Sequence, residues 1–149
     1  MKYAAVLKRG ADKGHQELAK AVAKAAVTLA SDVKKNIVSG GELAGVPFTP
    51  NAPSTIARKG SSKPLIDSGD MMKAVAARKE SPLVWFVGIA GNEQSEGVSI
   101  VEYARIHEFG LISEDGQMTI ARPFFFPTVD KRRDALQQQI KETMENLFK

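Results

Sequence analysis

Residues 12–38, DKGHQELAKAVAKAAVTLASDVKKNIV, carry apolar side chains at Leu18, Val22, Ala25, Ala26, Leu29, Val33 and Ile37. These three- and four-residue spacings put one continuous stripe on one face of a helix. Alanine supplies helix propensity along most of it. Asp12 is the expected N-cap, although Gly14 weakens the first turn. Gly40-Gly41 ends the helix, since glycine accepts the left-handed conformation of a C-cap. A second stripe, Val129, Leu136, Ile140, Met144 and Leu147, predicts a helix over 127–148. Pro127 suits its first turn, and Lys149 stands at the favourable end of its dipole. Two such stripes need apolar surface between them.

Between the helices the sequence changes character. Residues 39–64, SGGELAGVPFTPNAPSTIARKGSSKP, are dominated by glycine, proline and serine and predict a long loop, functional or mobile. A short helical turn near PSTIARKG fits within it, with Ser54 as cap. In PLIDSGDMMKAVAARKE, Leu65 and Ile66 form an anchor, Ser68-Gly69-Asp70 opens one helical turn over DMMKA, and a strand runs on from Ala74. LVWFVGIA, residues 83–90, is the strongest strand signal in the chain, being β-branched and aromatic. GNEQSEG is a polar turn. VSIVEYARIHEFG starts as a strand and becomes a helical turn at Tyr103–Phe109, which Gly110 terminates. QMTIARPF gives a last short strand around 118–121. The expected class is α+β: a small, mostly antiparallel sheet flanked by a long N-terminal helix and a C-terminal helix. With 149 residues, one domain spanning 1–149 is expected.

The chain has no cysteine, which removes disulfides and thiolate metal sites. The apolar run Tyr3–Leu7 is too short for a signal peptide, and no run approaches a membrane span. A soluble protein made and used without export is expected. Charge is uneven. Residues 1–79 hold 14 Lys/Arg against 6 Asp/Glu, or +8, and residues 80–149 hold 7 against 11, or −4. Such halves suit nucleic acid, or the face of an identical neighbour, as well as a merely solvated surface.

Catalytic and metal readings find little support. His107-Glu108 lacks a second histidine four residues on, because position 111 is Leu, and so is no zinc-helix motif. IDSGD is not a nucleophile elbow. Asp67 and Asp70 are spaced to pair as acid and base, but carboxylates beside a turn serve mostly as caps. SGGELAG leads into no Lys-Ser or Lys-Thr, so there is no phosphate-cradling loop. No enzyme activity, cofactor or metal is expected. Arg58, Lys59 and Lys63 in the loop, with Lys73, Arg78 and Lys79 after it, form a basic cluster able to meet phosphates without reading sequence. A basic, non-specific nucleic-acid-binding accessory protein is therefore the alternative reading.

YARIHEFG, residues 103–110, puts Tyr103, Ile106 and Phe109 near one helical face, with His107 beside them. One reading is a packing corner in which His107 caps a local hydrogen bond; the other is a subunit contact. ARPFFFP, residues 121–127, holds three phenylalanines between two prolines. In an extended run Phe124 and Phe126 face one way and Phe125 the other, so one side needs cover from another chain.

In this order PLIDSGDMMKAV, WFVGI, YARIHEFG and ARPFFFP, closed by a helix, resemble the tailed-phage virion-morphogenesis and tail-completion proteins. Their leucine-acid-Thr/Ser-Gly turn matches Leu65, Asp67, Ser68 and Gly69. Their second segment matches Tyr103, Ala104, His107, Phe109 and Gly110, and their third Ala121, Arg122, Pro123 and Phe124. Ser68 stands where threonine is usual. The resemblance covers roughly residues 47–148 and includes PNAPSTIARKG. It implies a small sheet flanked by helices, and a structural protein of the virion neck or tail top, made in the host bacterial cytoplasm. Such a protein forms a homo-oligomeric ring, six subunits being one candidate count. It meets the tail tube protein and the head connector, completes the tail, and joins it to the head; DNA passes through without sequence-specific contact. Leu65, Asp67, Ser68, Gly69, Tyr103, His107, Phe109, Gly110, Arg122, Pro123, Phe124 and Phe125 become interface or structural motif residues. Arg58, Lys59 and Lys63 become loop residues able to face DNA. Arg122 is a fork donor expected to lock the YARIHEFG turn through its carbonyls or Glu108.

Overall fold

The computed structural model describes residues 2–91, 94–95, 97–114, 116 and 118–147, with only the backbone of residues 2–9. The first helix, α1, runs over Lys2–Val38, 37 residues or about 55 Å at 1.5 Å per residue. Asp12 therefore lies inside it and caps nothing. Its buried face passes through Ala21, Ala25, Ala26, Ala30, Val33, Asn36 and Ile37. The expected stripe is thus rotated towards the alanines, whose small side chains let a second helix come close.

That second helix is α5, Phe126–Asn146. It starts one residue before Pro127, and the expected dipole partner Lys149 lies outside the described residues. α5 runs antiparallel to α1. Asn36 donates to the Phe124 carbonyl, the Arg132 guanidinium meets Asp32 at 2.7 Å, and a Cβ on Gly14 would touch Leu147. Residues 2–13 of α1 consequently run past the end of α5.

Among the described residues, three antiparallel two-stranded ribbons lie between the helices. The largest joins β1, Val75–Ser81, to β2, Val84–Ile89, pairing Val75 with Ile89 and Arg78 with Phe86. It packs on α1. Two small ribbons follow: β3, Gln94–Ser95, with β4, Val98–Ser99, and β5, Leu111–Ile112, with β6, Met118–Thr119. The last expected strand, 118–121, is thus shorter and pairs with a strand the sequence had not announced. The fold is α+β, as expected, with the sheet divided into ribbons.

The segment 39–64 is more structured than a loop. It contains a 3-10 turn at Glu42–Ala44 and a helix, α2, at Pro53–Lys59. Ala52, not Ser54, is the N-cap of α2, with Pro53 in its first turn. Phe48 is buried against Gly41, where any Cβ would collide with the Val46 carbonyl and the Phe48 ring. One core unites the elements: Val33, Ile37, Phe48, Leu65, Met71, Val75, Ile100, Ala104 and Phe124. Leu65 holds φ 59°, the only described non-glycine residue with positive φ. That conformation costs an L-residue about 1–2 kcal/mol, which burial of its side chain offsets.

Candidate functional site

Helix α4, Ile100–Phe109, follows β4 directly and ends at Gly110, whose N–H reaches the Ile106 carbonyl at 2.7 Å. Gly110 has φ 77°, a left-handed value that glycine tolerates without cost. The face of α4 turned inward carries Ile100, Ala104, His107 and Glu108. Tyr103 and Phe109 lie on the exposed side instead. The aromatic packing corner is therefore corrected: the helix buries His107 and Glu108 and shows its two aromatic residues.

Glu108 explains why. Its Oε2 accepts the backbone N–H groups of Phe124 and Phe125, and its Oε1 that of Phe126, all at 2.9 Å. These amides open α5 and have no partner within their own helix. A carboxylate there satisfies three donors and meets the positive end of the helix dipole. Around it, Thr128 Oγ1 donates to the Phe124 carbonyl at 2.7 Å. The side chain of Asn36, fully buried in α1, donates to the same carbonyl and accepts the Ala44 N–H at 3.0 Å. One knot thus ties α1, the 3-10 turn, α4 and α5 together.

Arg122 joins the knot differently from expectation. Its backbone N–H reaches the His107 carbonyl at 2.6 Å, which does lock α4. Its guanidinium turns the other way, Nε to the Thr49 carbonyl at 2.7 Å and Nη2 to the Pro50 carbonyl at 3.1 Å, because Glu108 is already occupied by the three amides. His107 is buried, its ring edge-on to Tyr103 at 4.4 Å between centroids. Among the described residues neither imidazole nitrogen has a hydrogen-bond partner, so the expected local cap by His107 is not made. Burial, and then the nearby charges of Arg122 and Lys59, push its pKa down to about 4, and the ring is neutral at physiological pH.

The phenylalanine run does not alternate as an extended strand does. Phe124 is 2% exposed, Phe125 packs part-buried against the core, and Phe126 is 54% exposed. The chain turns helical at Phe125 (φ −93°, ψ −62°), which swings Phe126 outward. Pro123 leads into that turn, part-buried. The Phe126 ring, not that of Phe125, is the one left uncovered, and it lies 5.8 Å from Phe109.

Leu65, Asp67, Ser68 and Gly69 line a cleft of about 180 Å³ shared with Tyr103, Arg58 and Asp70, so the first two motifs face one space. Asp70 does not pair with Asp67. It accepts Ser68 Oγ at 2.6 Å, Ser95 Oγ at 2.9 Å and Lys73 Nζ at 3.2 Å, and the Ser68 hydroxyl foremost holds its carboxyl below the usual range. These side-chain bonds hold Asp70 in the first turn of α3, Asp70–Ala74, whose N-cap is Gly69 with no side-chain cap, so the expected capping by a carboxylate is not made. Arg58 and Lys59 close α2 and Lys63 follows it; Lys59 Nζ reaches the Lys63 carbonyl at 3.5 Å. No group of three His, Asp or Glu side chains converges as a metal site among the described residues, and no described helix is long and apolar enough to cross a membrane.

Beyond Gly110 the β5–β6 ribbon is exposed and apolar. Phe109, Ile112 and Met118 are 65%, 72% and 68% exposed, and Leu111, Ile120 and Phe126 are also uncovered. Sequence reasoning missed Asn36, the role of Glu108, and this ribbon. The first had a visible signal, an asparagine on the core face of an otherwise apolar stripe. Comparisons of the chain with protein-family profiles, curated proteins and solved structures find no match in any of the three.

Proposed function

We propose that this chain is a structural protein of a tailed-phage virion, placed at the head–tail junction as a tail-completion or neck component and working as a homo-oligomeric ring. The observation that supports this reading is the use made of the three resembling segments. YARIHEFG and ARPFFFP are bound to each other through Glu108 and through the His107 carbonyl. The Leu65–Gly69 turn shares a cleft with Tyr103. The residues at their centre hold backbone in place, and the side chains at their margin form an uncovered apolar surface of the kind that marks a protein contact. A support that presents a contact surface suits assembly.

Electron microscopy of particles formed without this chain tests the reading. Filled heads and separate tails should accumulate, and purified chain added to the extract should join them. Joined, infectious particles formed in its absence would end the proposal. The basic accessory-protein alternative draws on Arg58 and Lys63, both exposed; it gains if the chain binds DNA with steep salt dependence while particles still join without it.

A further inference from the structure

Every ribbon in this fold has two strands, so among the described residues each strand has one edge paired with no other strand. The edges are not equally defended. β1, VAARKES, carries Arg78, Lys79 and Glu80, charges of the kind that discourage another chain from pairing there. β2, VWFVGI, carries no charge and no proline over its 6 residues. High β propensity without charge makes an edge either an aggregation hazard or a place where a strand is added.

The β5–β6 ribbon has the converse need. Its strands are 2 residues each, and a lone two-stranded hairpin is marginal in water. Its side chains Leu111, Ile112 and Met118 have no cover, and nothing in the same molecule pairs with its outer edges among the described residues. Charge favours a second copy as the missing element. The ribbon's turn carries the exposed Glu114, whereas the strand paired to β2 places Arg78 and Lys79 opposite Phe86 and Trp85.

We propose that the β5–β6 ribbon of one copy adds to the β2 edge of a second copy that no described strand pairs with, making a four-stranded sheet across the subunit boundary. Edge and ribbon are different surfaces, so the contact is head-to-tail and every subunit offers one of each; such a contact closes into a ring when its rotation allows. This interface rests on the self-assembly in the reading above.

Sedimentation of the full chain over a concentration series tests it, with Ile112→Lys altering the ribbon and Val84→Lys the edge. Both sites are exposed, and unchanged thermal melting verifies that each variant folds. The wild type should assemble and each variant alone should lose association. An equimolar mixture of the two should form a 1:1 complex, because one intact edge then meets one intact ribbon. Emission of Trp85, the chain's 1 tryptophan, should shift in the mixture and not in either variant alone. The inference is overturned if either variant assembles as the wild type does, if the mixture stays monomeric, or if the wild type never associates. A wild type that assembles together with two variants that also assemble removes this interface and leaves the structural-protein reading to the particle experiment.

Discussion

At Phe109 the chain passes from α4 into the β5–β6 ribbon, and the two sides of that boundary are built in opposite ways. On the inner side, polar groups are buried and satisfied: Glu108 accepts three amides, and Asn36 and Thr128 share the Phe124 carbonyl. On the outer side, apolar groups are exposed and uncovered. A chain stabilised only by its own fold would reverse this. Buried polar groups hold one arrangement because any slip leaves them unpaired. Exposed apolar groups contribute nothing until something covers them. The inner side therefore fixes the subunit, and the outer side is prepared for an encounter.

The comparison can be broken first at Glu108. Glu108→Ala leaves three amide donors without an acceptor at a helix start, at roughly 1–3 kcal/mol each. The expected loss is about 4 kcal/mol or more, which removes much of a stability of about 5–15 kcal/mol. Glu108→Gln keeps one acceptor oxygen and should cost less. Urea unfolding monitored by circular dichroism measures both.

His107 gives the next largest effect, as a pH dependence. The folded protein keeps the ring neutral down to a pKa of about 4, whereas the unfolded chain takes up a proton near 6.5. The unfolded state therefore binds more protons between these values, and stability falls as pH drops through that window. The contribution is full above the unfolded pKa, declines by on the order of 3 kcal/mol in all, and levels off below the folded one. In His107→Gln this part of the slope should vanish, as unfolding curves of wild type and variant across the acid range would reveal.

Arg122→Ala sharpens the picture, because it keeps the backbone bond to His107 and removes only the two bonds to Thr49 and Pro50. A cost of about 1–3 kcal/mol is expected, together with faster proteolysis in residues 47–63. Equal proteolysis of wild type and variant would show that the segment is held by Phe48 alone. At the small end, Ile112→Lys should change subunit stability by no more than about 0.5 kcal/mol, as surface substitutions do, while association is lost.

Periodicity made both long helices legible, and the β-branched and aromatic run made β2 and with it the α+β class legible, because each rests on local sequence. The start of α1 was misplaced at Asp12, the expected N-cap beside a weak first turn at Gly14, whereas Gly10 and Gly14 both lie inside the helix. Each costs a helix interior only about 1 kcal/mol against alanine, and this helix absorbs both. The knot was illegible for a different reason. Glu108 binds backbone amides 16 to 18 residues away, and a backbone donor leaves no mark on residue identity. Phe126 was misjudged because alternation holds only while the chain stays extended. Three phenylalanines in a row gave no sign that the helix begins among them.

Hydrogen exchange on dilute and on concentrated protein tests the central contrast most directly. The amides of Phe124, Phe125 and Phe126 should exchange slowly at every concentration, near the limit set by global unfolding. Those of residues 111–112 and 118–119 should exchange fast when dilute and slow as the chain self-associates. Rapid exchange at Phe124–Phe126, or a ribbon equally protected in the dilute monomer, would contradict it.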